Sequence, residues 1–225
     1  MTLLVACGMQ REARIIARPW VTVVAGGGDA TRLEAELEAA ASGATALLSS
    51  GLAGALDPFL KPGDIVIGTL FPGDGRGTAL LDLIEKQLPG AHVGTVFGSE
   101  TMIASATEKH DVHARTGAIA VDMESHIAAR VAARHGLPFA ILRTISDSAD
   151  HALPPAALVG MKPDGTMALG AVLASLARNP AQLAALIRTG RDAEKAFQAL
   201  RRVYDVLARS GIGLADLRQL PLDMR

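Results

Sequence analysis

The chain has 225 residues, about half of them hydrophobic, which is enough to bury a sizeable core in one domain. Its 22 Lys plus Arg against 23 Asp plus Glu leave no basic surplus to neutralise a phosphate backbone, so nucleic acid is excluded as the expected partner. A single cysteine, Cys7, excludes an internal disulfide and any Cys-rich zinc site, and fits a reducing cytoplasm.

The first element is the apolar run "TLLVAC". It has no basic leader and no small-residue cleavage site, so it reads as a strand and not as a signal peptide. Cys7 at its end is expected in the core. "CGMQREAR" follows directly and brings Arg11, Glu12 and Arg14 to the carboxyl end of that strand, the edge where ligands sit in open α/β sheets. After the strand "VTVVA" comes "GGGDATRL", which satisfies neither dinucleotide nor P-loop spacing and reads as a turn with Asp29 as helix N-cap. Leu33, Leu37 and Ala41 then fall on one helical face.

"TALLSS" is the third strand, and "SSGLAGALDPFLKPGD" after it reads as a small-residue loop. Ser50 and Gly51 there are candidates for an anion or water site, because small residues let free N–H groups approach a ligand. "LKPGD" turns tightly into the strand "DIVIGT", and "HVGTVFG", "GAIAV" and "FAILRTI" are further strands. "HDVH" lacks the spacing and the third ligand of a metal site, so no metal is expected. No GxSxG elbow is present.

Two stretches at strand ends carry the strongest polar signals. In "VDMESHIAAR" a helix beginning near Met123 places Glu124 in its first turn, where free N–H groups and the helix dipole favour a carboxylate, with Asp122 as cap. That helix ends at Gly136, ahead of Pro138. In "RTISDSAD" Ser146 and Asp147 fall at the end of "FAILRTI". Strands alternating with helices imply a largely parallel sheet covered on both sides. Beyond residue 150 strand signals stop: "HALPPAALVGMKPDG" reads as an apolar, proline-rich loop, and Thr166 to Leu207 as two helices broken near Asn179-Pro180. The organisation expected is one domain over 1–225, with an α/β core over 1–150 and a loop and helical extension over 151–225. No run is long enough to span a membrane.

In combination, "VDMES", "ISDSAD" and "GLAGALDPFLKPGD" resemble the nucleoside phosphorylase and nucleosidase superfamily, over most of residues 1 to 150. The resemblance implies a mixed central β-sheet flanked by α-helices and cleavage of an N-glycosidic bond without a cofactor. A closer resemblance, through "RTGAIAVDMESHIAARVAARHGLPFAILRTISDSAD" and "LPPAALVGMKPDGT", is to the hopanoid-associated phosphorylase branch, which implies adenosylhopane as substrate and adenine as product. It also implies a cytoplasmic homo-oligomer, with peripheral membrane contact open. Under this resemblance Asp147 serves the leaving purine as acid, oriented by Ser146. Met102 and Ile103 sandwich the base, and Met123 with Glu124 grips the ribose. Negative charge on Glu124 suits the oxocarbenium-like transition state.

The nucleophile stays open between two readings. Glu12 matches a water-activating glutamate of the nucleosidases, whereas Arg11 and Arg14 would suit inorganic phosphate as co-substrate. Leu52 stands where nucleosidases carry a serine, so Ser49 or Ser50 would replace that hydroxyl. From another class, a protein that only holds an adenosyl ligand also fits, as does an enzyme for small methylthioadenosine-type substrates.

Overall fold

The computed structural model describes residues 2–73, 79–159 and 168–209. Seven strands form its centre: β1 (Thr2–Cys7), β2 (Val21–Ala25), β3 (Ala44–Ala55), β4 (Ile65–Leu70), β5 (His92–Gly98), β6 (Ala120–Asp122) and β7 (Phe139–Asp147). Between them run helices α1 (Gln10–Ile16), α2 (Ala30–Ala41), α3 (Ala79–Gln87), α4 (Ala106–Thr116) and α5 (Ser125–His135). The arm holds α6 (Pro155–Leu158), α7 (Leu169–Arg178), a 3₁₀ turn at Pro180–Gln182 and the 27-residue α8 (Leu183–Arg209). The break at Asn179-Pro180 is as expected; residues 160–165 of the predicted loop and the start of the predicted helix at Thr166 lie outside the described residues.

The fold is the mixed α/β class expected, but the sheet is less parallel than the alternation of strands and helices implies. β1 is parallel to β2 and to β3, and β3 is parallel to β7. β7 then runs antiparallel to β4, β4 parallel to β5, β5 parallel to β6, and β6 antiparallel to β3. The five strands β3, β7, β4, β5 and β6 therefore close on themselves, and β1 with β2 extends the sheet from β3.

β3 makes this closure possible. Its first half pairs with β1 and its last two residues, Gly54 and Ala55, with β6. "GLAG" is thus a continuation of the strand and corrects the expected loop: Gly51, Leu52 and Ala53 pair with Arg143, Thr144 and Ile145 of β7. Small residues here allow a tight bend with close side-chain approach from both faces, a use of glycine in strands as legitimate as its use in turns.

Both faces of the sheet are covered, which explains why β1 is apolar throughout. Leu3, Val5 and Cys7 face α1, α3 and α8, against Ile16, Leu80 and Leu200. Leu4 and Ala6 face α2 and α5, where Leu33, Leu37, Ile127 and Val131 sit at helical spacing. Asp29 caps α2 through Arg32 N (2.9 Å), and Gly136 ends α5 at φ 60°, both as the sequence predicts. α8 buries Phe197, Leu200, Val203, Tyr204 and Leu207 along one stripe.

Candidate active site

A cavity of about 300 Å³ opens where the carboxyl ends of β1, β6 and β7 meet the glycine-rich stretch of β3. Its wall includes Glu12, Met102, Ile103, Met123, Glu124, Ser146 and Asp147, so most of the predicted site residues, drawn from four separate elements and loops, are brought together.

Glu12 lies under the floor, 2% exposed. One turn of α1 carries it back over the end of β1, where its Oε2 accepts the N–H groups of Gly8 (2.9 Å) and Met9 (2.7 Å) and its Oε1 that of Leu52 (2.7 Å). Burial raises its pKa while these three donors and Arg143 work the other way. Helix periodicity that turns Glu12 inward turns Arg11 and Arg14 outward, which corrects their expected placement. Both are exposed, and Arg11 is engaged elsewhere, 2.5 Å from Glu194 and stacked 3.8 Å over the Phe197 ring.

Ser50 also departs from expectation. Strand alternation points Ser49 towards α5 and Ser50 towards α8, against Tyr204, whose phenol burial pushes upward. Ser49, in contrast, accepts from Arg143 Nη2 at 2.6 Å. Gly51 lies in β3 beside Glu12: a Cβ on it would lie 2.7 Å from Glu12 Oε1 and 3.0 Å from Arg143 Nη1, and its φ of 154° is rarely adopted by L side chains.

Arg143 is the residue the sequence reading passed over. It is fully buried in β7, its Nε 2.7 Å from Asp122 Oδ2 in an ion pair that lacks hydrogen-bond alignment. Its Nη2 also reaches Ser125 Oγ (3.1 Å) and stands 3.6 Å from Glu124. Nη1 has no hydrogen-bond partner among the described residues, and it points to the same glycine, Gly51, as the Glu12 carboxylate. Burial works to lower the Arg143 pKa, but Asp122, Glu124 and Glu12 outweigh it and the guanidinium is held charged.

Asp122 therefore does more than cap α5. Its Oδ1 takes the N–H groups of Glu124 (3.0 Å) and Ser125 (2.8 Å), while Oδ2 meets Arg143 and the Ser125 hydroxyl. α5 starts at Ser125, two residues later than expected, with Glu124 at its N-cap position. Burial raises the Glu124 pKa to about 8; Arg143 opposes this, and Asp122 and Glu12 add to it. Cys7, beneath them, is pushed up by burial and then by both glutamates, so it is no thiolate nucleophile.

The Glu124 shift has a consequence for stability. A carboxyl that keeps its proton to about pH 8 when folded, but loses it near 4.5 when unfolded, makes the folded state bind more protons between those values. Stability then falls as pH rises through that window. Thermal unfolding is expected to show this decline, and Glu124→Gln, which cannot ionise, to lessen it; an unaltered slope in the variant would refute the assignment.

At the far end of β7, Asp147 is 13% exposed in its side chain and held from both sides. Its Oδ1 accepts the Ser146 hydroxyl (2.7 Å), and its Oδ2 is 2.5 Å from Lys109 Nζ. Met102 is half-exposed beside buried Ile103. The opposite rim is apolar, formed by Leu153, Ala157, Ala193 and Phe197. Leu158, the last residue of the short helix α6, and Val159 after it are exposed, in a stretch expected to be loop. Among the described residues no group of His, Cys, Asp or Glu is arranged to hold a metal. His110 pairs instead with Asp150, and His113 Nδ1 donates to the Ala118 carbonyl.

Comparison with known proteins agrees with this fold. A family model described as "Phosphorylase superfamily" matches residues 71–200, more than half of the chain. Futalosine hydrolase of Helicobacter pylori superposes with a TM-score of 0.63 at 17% identity, covering 93% of this chain and 98% of that one. S-adenosylhomocysteine nucleosidase from Streptococcus pyogenes gives 0.63 at 15% identity, covering 93% and 97%. 5′-Methylthioadenosine/S-adenosylhomocysteine nucleosidase from Neisseria meningitidis gives 0.62 at 18%, covering 93% and 99%. No curated protein sequence matches the chain.

Proposed function

The chain belongs to the phosphorylase superfamily, and from that premise we propose that it hydrolyses the N-glycosidic bond of an adenine nucleoside bearing a large apolar 5′ group. Adenosylhopane is the substrate we assign, on the resemblance to the hopanoid-associated branch.

The observation that carries hydrolysis over phosphorolysis is the charge of the floor. Three carboxylates, Glu12, Glu124 and Asp122, converge there on one guanidinium, and the two other arginines considered for phosphate face away. An anion would find the one buried guanidinium already matched by Asp122, whereas water would find an acceptor in Glu12 and a free donor in Arg143 Nη1. Glu12 is then the base that activates water. Glu124 takes the ribose hydroxyls and, when ionised, complements the developing oxocarbenium charge, with Met123 beneath the sugar. Ser146 and Asp147 meet the purine edge between Met102 and Ile103, and Asp147 protonates N7 as the base departs.

The test is adenine release from a 5′-alkyl adenosine surrogate with and without inorganic phosphate. Equal release in both, with a free reducing sugar, is the expected result. Phosphate-dependent release with a sugar 1-phosphate product would overturn hydrolysis, and no release at all would leave a protein that only binds adenosyl ligands. A preference for methylthioadenosine over the surrogate would replace the large 5′ group by a small thioether.

The apolar rim supports the 5′ assignment. Leu153 and Ala157 line the cavity, and the next two residues of the chain, Leu158 and Val159, are exposed and apolar. Replacing Leu158 and Val159 together by Ser removes several buried CH₂ contacts at about 0.8 kcal/mol each, so kcat/KM for the alkyl surrogate should fall about tenfold or more. Adenosine itself should be cleaved as before. Equal effects on the two substrates would remove this rim from the 5′ path.

A further inference from the structure

Lys109 is the only charged residue of α4 that is buried, with no exposure at all, one turn before Val112 on the inward face. An ammonium in such a place is tolerated only when its donors are all satisfied. Three acceptors surround it: Asp147 Oδ2 at 2.5 Å, the Ser148 carbonyl at 3.0 Å and the His151 carbonyl at 3.1 Å. The lysine thus reaches from α4 across to the end of β7, binds the loop that follows, and ends on the carboxylate that forms part of the cavity wall. Other charged groups near this pair are already matched: His110 with Asp150 at 3.1 Å, and the His151 ring on the Ser148 hydroxyl at 2.8 Å.

An ion pair that served the fold alone would have no need of a carboxylate open to the cavity. Asp147 is that carboxylate. We infer that Lys109 is the positioning residue of the leaving-group step: its ammonium fixes the Asp147 carboxyl and stabilises the carboxylate left behind when Asp147 gives a proton to the purine. This rests on the reading of Asp147 as the acid above.

The step balances as follows. The C1′–N9 bond breaks and its electron pair moves into the purine. Asp147 enters the step with a solvent proton, taken up where its side chain opens to the cavity; N7 becomes basic, the Asp147 O–H bond breaks and an N7–H bond forms. The negative charge that stays on Asp147 is then opposite the Lys109 ammonium, so the interaction is stronger after proton transfer than before it, as differential stabilisation of a transition state requires. Ser146, through its hydroxyl on Oδ1, completes the orientation.

The experiment is a double-mutant cycle on the whole chain, with Lys109→Met, Asp147→Asn and the pair of them, read as kcat and KM for adenine release from the 5′-alkyl surrogate. Lys109→Met is expected to lower kcat about 10²-fold, the lower end of what general acid catalysis supplies, with KM changed only a few-fold. The double variant should be no slower than Asp147→Asn alone, because Lys109 acts only through Asp147. Additive losses, an effect confined to KM, or a rate equal to wild type would each overturn the inference. If Lys109→Met does not fold, Lys109→Gln takes its place with the same expectation, since it keeps a hydrogen bond and loses the charge. An unchanged wild-type protein that releases no adenine would refute the functional reading itself, a result distinct from an active wild type whose Lys109 variants behave additively.

Discussion

Glu12→Gln is expected to lower the rate of adenine release by about 10² to 10⁴, the range that a positioned general base contributes, while KM changes little. The substitution is nearly isosteric, yet it does two separate things. It removes the carboxylate assigned to take a proton from water, and it puts an amide where three backbone N–H groups point. The amide oxygen can accept from Gly8 and Met9, but its nitrogen then faces the Leu52 N–H, donor against donor. A buried donor left unpaired costs about 1 to 3 kcal/mol, so a drop in Tm should accompany the loss of rate. The two effects are separable: substrate analogue binding, measured at a temperature where the variant is folded, should persist. A variant with wild-type turnover would remove Glu12 as the base, and turnover restored by added phosphate would revive phosphorolysis.

How far the sequence could be read depended on whether a residue's local pattern and its tertiary position asked for the same thing. The seven strands and the caps at Asp29 and Gly136 were legible because apolar periodicity, turn residues and helix termini are local signals. "VDMES" and "ISDSAD" were legible as candidates because polar residues at strand ends have few structural reasons to be there, and the fold brings both to one cavity. The closing of β3 through β7, β4, β5 and β6 was not legible, since pairing partners are set by contacts distant in sequence.

The arginines show the same limit in a sharper form. Arg11 and Arg14 bracket Glu12 in sequence and look equally available, but a helix separates them by direction: inward for Glu12, outward for the other two. Two signals were present and went unused. Arg143 interrupts the otherwise apolar run "FAILRTI", and Lys109 precedes Val112 by three residues in a helix whose remaining charges are on the other side. A charged residue at a position that periodicity assigns to the interior has to be paired there, and pairing inside a cavity wall is a mark of function.

Arg143→Met is expected to be the most destabilising single change at the site. The methionine fills much of the volume and is apolar, so the damage comes from what it leaves behind. Asp122 would keep its N–H partners at Glu124 and Ser125 but lose the cation 2.7 Å from its Oδ2, and Ser49 and Ser125 would lose a shared donor. Removing one partner of a buried ion pair costs about 3 to 5 kcal/mol, because the remaining charge is stranded. At roughly 2 to 4 °C per kcal/mol for a chain of this size, Tm should fall by about 10 °C. Adding Asp122→Asn to Arg143→Met removes the stranded charge and should return part of that loss, although not activity, since Arg143 Nη1 is also the donor beside Glu12. Thermal unfolding of the single and double variants measures the coupling directly. If the double variant is less stable than the single, Asp122 is not the charge that Arg143 compensates, and Glu124, 3.6 Å from Nη2, becomes the partner that matters for the fold as well as for the sugar.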